Sequence, residues 1–377
     1  MRPVQMVDLK QQYLAMQAEI DEAIRRVLDS SVFIGGQSVE EFSQHLAAWT
    51  GSRYVIPCAN GTDALQIALM ALGLEPGDEV ITPSFTYIAT TEVVALLRLK
   101  PIFVDVDPRT FCMDANALER AITPKTRAIV PVHLYGQPAA MDEIMTLADR
   151  HGLYVVEDNA QAIGARYRFY DGTERQTGTM GTIGTTSFFP SKNLGCYGDG
   201  GAIFTQDASL ADRMRMIANH GQRIRYYHDL VGCNSRLDAI QAAILDVKLR
   251  RLEGYIVSRR QAAAAYDEAF KTEDRILTPW VDPRGTHVYH QYTLQLEGVD
   301  RDELQRYLAD RSIPTMIYYP VPAHRQRMFT QLGAGGEDLP VTDWLTGRVL
   351  SLPIHTEMDA ELTERIATAV LDFIHKN

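Results

Sequence analysis

Short apolar runs rich in β-branched residues recur through the first half of the chain. They are Tyr54-Val55-Ile56, Glu79-Val80-Ile81, Pro101-Ile102-Phe103-Val104, Ala128-Ile129-Val130-Pro131-Val132 and Leu153-Tyr154-Val155-Val156. Runs of this length and composition read as strands of a sheet buried on both faces. Between them apolar residues fall at helical spacing, as from Asp63 to Leu72 and from Ala140 to His151. The second stretch meets Gly152, and glycine closes helices because it accepts a left-handed backbone at no steric cost. Strand and helix in alternation predict an α/β fold, a mostly parallel sheet sandwiched by crossover helices.

The pattern changes past the middle. Leu237, Ile240, Ala243, Ile244 and Val247 predict a long helix running from Asn234 towards Tyr266 and leading into a second unit. The boundary is set near residue 245, with 1–245 a large domain carrying an N-terminal helical segment and 246–377 a smaller C-terminal α/β domain. In the smaller part the pattern predicts a strand at Tyr292 to Leu296, a helix at Arg301 to Arg311, a strand with a turn at Pro314 to Pro322, and a last helix from Ala360. At 377 residues, 46% of them hydrophobic, the chain is long enough for two such units and can bury a large site.

A formal net charge of -11 argues against nucleic acid as a partner, because such binders concentrate Lys and Arg to displace counterions. A small anion remains compatible, since local fields differ from the total. Cys58, Cys112, Cys196 and Cys233 are too scattered for a zinc site or a disulfide framework. The start, Met1-Arg2-Pro3, turns charged at once and does not read as a signal peptide, and the apolar runs are too short to cross a membrane. The expectation is a soluble, cytoplasmic protein. A dinucleotide-binding oxidoreductase is disfavoured, because no G-x-G-x-x-G follows an early strand.

Three segments carry chemistry. Asn60-Gly61-Thr62-Asp63 follows the first strand and opens a helix, where free N–H groups and a glycine make an anion seat; a plain capping turn is the other reading. Asp158, in Glu157-Asp158-Asn159-Ala160-Gln161, ends a sheet strand, the place where open α/β sheets bind ligands. A carboxylate there can keep a pyridine nitrogen protonated and make the ring an electron sink, or it can cap a helix. Lys192 lies in Ser187-Phe188-Phe189-Pro190-Ser191-Lys192-Asn193-Leu194-Gly195, followed by Gly198-Asp199-Gly200-Gly201. A Schiff-base lysine must be held rigidly and be deprotonable, which suits a part-buried turn with polar neighbours; most single lysines are simply exposed.

Taken in this order the three segments resemble the DegT/StrS family, fold-type I aminotransferases of nucleotide-linked keto-sugars. The resemblance runs from Val7-Asp8-Leu9 to Leu352-Pro353-Ile354-His355. It implies pyridoxal phosphate as cofactor, bound covalently to Lys192, with Asp158 on the pyridine nitrogen and Gln161 on the ring hydroxyl. Gly61, Thr62 and Ser187 would hold the phosphate, and Tyr87, in Thr82-Pro83-Ser84-Phe85-Thr86-Tyr87, would stack on the ring. The run His220-Gly221-Gln222 to Asp238 resembles the segment that enters the partner's site in a homodimer with shared active sites. Asn234 would then meet the partner's cofactor phosphate, or else simply cap the helix that follows.

The implied reaction moves an amino group from L-glutamate to a keto-sugar, with Lys192 carrying the proton. Relatives that dehydrate sugars carry histidine at the place of Lys192, so lysine favours transfer. The resemblance is nearest to enzymes of bacterial O-antigen synthesis acting on UDP-2-acetamido-2-deoxy-3-oxo-glucuronate. Arg236 would meet its carboxylate with a forked pair of donors, or pair with an acid such as Asp238. Tyr318 and Tyr319 would add hydroxyl contacts to the sugar. Relatives differ from this chain at Tyr318, at Ala323 and in a shorter segment where Tyr167 to Gly178 stands. The alternatives are a 4-keto-6-deoxy nucleotide sugar as acceptor and a non-catalytic cofactor-binding regulator.

Overall fold

The computed structural model describes residues 3–376, so Met1 and Arg2 of the N-terminal stretch read above lie outside the described residues. At its centre is a seven-stranded sheet in the order Tyr54–Cys58, Gly201–Thr205, Ile183–Ser187, Tyr154–Asp158, Thr126–Ile129, Glu79–Pro83, Lys100–Val104. Gly201–Thr205 is antiparallel to both of its neighbours, and the remaining pairs are parallel. Six strands therefore point the same way, and Cys58, Asp158 and Ser187 finish at one edge.

Successive residues of these strands enter opposite cores. Ile81, Ile129 and Val155 pack in one cluster; their neighbours Val80, Ala128, Val130 and Val156 pack in the other. That is the two-residue period of a strand covered on both faces, and it explains the unbroken apolar runs. A smaller antiparallel sheet joins Ile276–Leu277, Tyr292–Leu296 and Val349–Leu352. The helices Leu252–Phe270, Arg301–Ala309 and Ala360–Ile374 share its core through Tyr266, Phe270, Leu304, Leu308, Ile366 and Val370.

The differences from the sequence expectation have local causes. The long helix is two, Ala239–Leu249 and Leu252–Phe270, parted at Arg250-Arg251. Its first segment starts at Ala239 because residues before it are extended: Asn234 bridges Asn219, Ser235 N donates to Ala218 O at 2.9 Å, and Ser235 Oγ accepts from Ala59 N at 3.0 Å. The second helix spans both cores, with Leu252, Tyr255 and Ile256 in one and Ala262, Ala263 and Tyr266 in the other. Pro314 to Pro322 is not a strand. A single bridge pairs Met316 with Ser351 there, because the prolines in the segment lack the N–H a ladder needs. The helix expected from Asp63 starts at Gly61, and the one expected to reach Arg311 ends at Ala309.

The segment Tyr167 to Gly178 forms a hairpin, Arg166–Arg168 against Glu174–Gln176. Its return runs over Glu157, which is fully buried. The Glu157 carboxylate accepts from Gly178 N at 2.7 Å, from Met180 N and Gly181 N at 2.6 Å each, and faces His133 Nε2 at 2.8 Å. Ala139 N donates to His133 Nδ1 at 3.0 Å, so the ring proton sits on Nε2, towards Glu157. Glu157→Gln exchanges an acceptor oxygen for an amide donor facing N–H groups. The expected loss is about 3 kcal/mol, checked by urea unfolding; an unchanged midpoint would contradict this account of the loop.

Candidate active site

Lys192 sits on a loop that leaves the strand Ile183–Ser187 and returns into Gly201–Thr205. The loop closes on itself: Phe188 N donates to Gly200 O at 2.7 Å, Cys196 N to Phe188 O at 2.8 Å and Lys192 N to Phe189 O at 2.8 Å. Gly195 is needed for that closure, since a Cβ there would lie 2.4 Å from Pro190 O and 2.7 Å from Phe189 O. Asn193 anchors the loop outward by donating from Nδ2 to Val288 O at 2.9 Å. Burial pushes the Lys192 ammonium down to about 8, against the opposing pull of Asp158. Water solvates an ammonium better than protein does, so the neutral amine gains.

Asp158 is buried at the end of its strand. Its Oδ2 accepts from Thr90 Oγ1 at 2.7 Å and its Oδ1 from Ala160 N at 3.1 Å. Thr90 Oγ1 lies 3.0 Å from Thr86 Oγ1. Each carboxylate oxygen thus has one donor and retains lone pairs for another. Gln161 Oε1 accepts from Tyr135 N at 2.7 Å, and Nε2 donates to the Tyr319 hydroxyl at 3.0 Å. Because a backbone N–H can only donate, that contact fixes which end of the amide is oxygen, and one N–H of Gln161 stays uncommitted. Tyr87 is exposed, its ring centroid 6.2 Å from that of Tyr319. Tyr318 lies beside Tyr319 at 5.8 Å, and its carbonyl accepts from the Tyr135 hydroxyl.

At the neighbouring strand end, Asn60 caps the helix Gly61–Ala71, its side chain accepting from Asp63 N at 2.8 Å. Ala64 N reaches Asn60 O, which leaves the N–H groups of Gly61 and Thr62 without a protein acceptor among the described residues. The packing here tolerates only glycine. A Cβ on Gly61 would lie 2.7 Å from Ser187 Cβ, and one on Gly201 would lie 2.5 Å from Asn60 C. Two free N–H groups at a positive helix end, with the Ser187 hydroxyl against them, could seat a phosphate dianion.

The structure thus gathers Lys192, Asp158, Gln161, Ser187, Gly61, Thr62, Tyr87, Tyr318 and Tyr319 along one edge of the sheet. Asn234 and Arg236 stand apart, exposed on the extended segment before Ala239. Asn234 does not cap that helix, since the cap position is Asp238. Arg236 forms no ion pair among the described residues, with Asp238 or any other acid. Several neighbours carried no sequence signal. Thr90 is one helical turn past a motif read for Tyr87 alone. Tyr135 holds Gln161 from a left-handed backbone, φ 57°. His290 is buried, and desolvation together with the charges of Lys192 and Arg259 holds its imidazole well below the usual range.

An amine that desolvation brings down to about 8, a buried carboxylate with spare lone pairs and an N–H cradle that admits no Cβ suit the three ends of pyridoxal phosphate: aldehyde, ring nitrogen and phosphate. The residues present fit that cofactor.

Comparison with known proteins agrees. The DegT/DnrJ/EryC1/StrS aminotransferase family matches residues 14–371. Over 367 residues, 97% of this chain and 99% of the relative, the chain is 47% identical to a UDP-2-acetamido-2-deoxy-3-oxo-D-glucuronate aminotransferase of Pseudomonas aeruginosa. It is 44% identical over 372 residues to a UDP-N-acetyl-3-dehydro-alpha-D-glucosamine 3-aminotransferase of Acidithiobacillus ferrooxidans, covering 99% of this chain and 98% of that one. Among solved structures, DesV of S. venezuelae in complex with a ketimine intermediate matches with a TM-score of 0.94 at 42% identity, over 99% of this chain and 98% of that one. The chain belongs to the DegT/DnrJ/EryC1/StrS aminotransferase family and is a pyridoxal-phosphate-dependent sugar aminotransferase.

Proposed function

We propose that this enzyme transfers the amino group of L-glutamate to the 3-keto group of UDP-2-acetamido-2-deoxy-3-oxo-glucuronate, supplying a 3-amino sugar for O-antigen or another surface polysaccharide. The observation that carries the acceptor is the 47% identity, over nearly the whole of both chains, to an enzyme named for that substrate. L-Glutamate follows from the family resemblance. The four cysteines are all free thiols, in keeping with a reducing cytoplasm.

When bound, the cofactor supplies an electron sink for the carbon that loses its proton. The chain's own residues do the rest. Lys192 would hold the cofactor through Nζ and, as a free amine, would take the proton from the substrate carbon and return it to the other reacting carbon. Asp158, braced by Thr90 and Ala160 N, would keep the ring nitrogen protonated; Gln161 would offer its remaining N–H to the ring hydroxyl. Gly61, Thr62 and Ser187 would seat the phosphate, and Tyr87 would offer its ring to that of the cofactor. In the proposed homodimer Asn234 completes the phosphate seat of the neighbouring copy and Arg236 meets the uronate carboxylate, with Tyr318 and Tyr319 on the sugar. Asn234 and Arg236 are exposed, and neither side chain has a hydrogen-bond or ion-pair partner among the described residues, which supports this reading. The division at residue 245 belongs to the same proposal, with the helix Leu252–Phe270 passing between the two cores just beyond it.

Two outcomes follow. In the cofactor-free protein, only the neutral Lys192 amine reacts with an acylating reagent. Its neutral fraction rises with pH, so labelling should climb with a midpoint near 8 rather than at about 10.4, the ordinary lysine value. Peptide mass spectrometry across a pH series checks this, and a midpoint above 10 would contradict the desolvated amine. Offered the 3-keto uronate and a neutral 4-keto-6-deoxy nucleotide sugar with L-glutamate, the enzyme should turn over the uronate faster. Arg236→Ala should raise KM for the uronate about 10- to 100-fold, as expected for one charged hydrogen-bond pair, and leave the neutral sugar unaffected. Faster turnover of the neutral sugar would overturn the acceptor assignment.

A further inference from the structure

The helix Ala239–Leu249 carries a lysine where a lysine is costly. Lys248 is 1% exposed, and no carboxylate pairs with it among the described residues. Its Nζ donates to Gly195 O and lies 4.9 Å from the centre of the Tyr197 ring. Burial pushes its pKa down to about 8. One carbonyl and one ring face do not repay the desolvation of an ammonium. The amine's effect falls on the stretch of chain that it grips.

Gly195 lies three residues past Lys192. Its α-carbon packs so closely on the turn above that a Cβ would overlap Pro190 O and Phe189 O, and Phe189 O is the acceptor of Lys192 N. A displacement of Gly195 therefore passes through Phe189 to Lys192 within two contacts. The same helix holds the next part of the loop, because Gln241 Oε1 accepts from Tyr197 N at 2.9 Å. Gln241 and Lys248 are two turns apart on one helix face, so the loop is gripped at two points.

We propose that Lys248 is a positioning residue for Lys192: by drawing Gly195 O onto the helix Ala239–Leu249 it fixes the turn from which the Lys192 amine reaches the reacting carbons. This rests on the reading of Lys192 as proton carrier. A small misplacement of such a group slows the chemical step without weakening substrate binding, since a shift of about 1 Å can cost on the order of 100-fold in rate.

The test is Lys248→Met, which keeps the bulk but removes the donor and charge, beside Lys248→Gln, which keeps a donor. In the full-length, cofactor-loaded enzyme, Lys248→Met should lower kcat at least about tenfold with KM within twofold. The primary isotope effect with donor deuterated at its α-carbon should rise, because proton transfer becomes slower than the other steps. Lys248→Gln should recover most of kcat. In the cofactor-free protein, acylation of Lys192 at a fixed pH should change several-fold in Lys248→Met. A folded Lys248→Met protein with native kcat, isotope effect and labelling overturns the proposal. So does a loss of activity that only follows the unfolded fraction with an unchanged isotope effect. Should Lys248→Met fail to fold, Tyr197→Leu, which removes the ring that Lys248 Nζ lies against, carries the test, and an unchanged isotope effect in it overturns the proposal. Lys192→Ala separates the two readings: retained transfer in that variant defeats the role of Lys192 itself, whatever Lys248 does.

Discussion

Everything in this site is arranged around one buried carboxylate. Asp158 ends a central strand in a place with little water, and two donors, Thr90 Oγ1 and Ala160 N, hold it. A carboxylate so placed governs whatever cation or protonated ring comes to lie against it, because screening is weak where solvent is excluded. Its charge also reaches Lys192, where it opposes the desolvation that favours the neutral amine. The amine ends between the two influences at about 8, so about a tenth of it is neutral at pH 7. A single amine poised between its two protonation states can accept a proton from one carbon and release it to another, which is the condition for a transfer between two carbons.

Sheet topology makes this juxtaposition possible. Strands joined by crossover helices point the same way, so residues distant in sequence, such as Gly61, Asp158 and Ser187, finish at a common edge. The antiparallel strand Gly201–Thr205 is inserted between two parallel ones. It brings Gly201 against Asn60 and turns the Lys192 loop back on itself. Glycine at 61, 195 and 201 is a steric requirement of that edge, as each would otherwise place a Cβ within 3 Å of backbone or side-chain atoms.

The parts legible in the sequence are those with a local signature. Apolar runs gave five of the seven strands of the large sheet, Gly152 the end of a helix, and the Asn60-Gly61-Thr62-Asp63 and Ser191-Lys192-Asn193 segments their place at strand ends. The family resemblance, more than spacing, joined them into one site. Periodicity misread the chain where tertiary contacts decide. Ser235 is pinned to Ala59 and Ala218, so the helix starts later than its apolar pattern suggests, and Arg250-Arg251 parts it again. The supporting residues had no signature at all. Thr90, Tyr135, Lys248 and Arg259 are ordinary letters until the fold turns them inward. Arg259 alone then spans Tyr289 O at 2.9 Å and Ile354 O at 3.1 Å, tying the smaller sheet to the segment beside Lys192.

The central claim is that the Lys192 amine, and no other, bonds the cofactor. Borohydride reduction of the protein loaded with pyridoxal phosphate, followed by proteolysis and peptide mass spectrometry, tests it most directly. The account predicts a stable pyridoxyl phosphate adduct on Lys192. An adduct confined to another lysine, or a loaded protein that yields none, would contradict it.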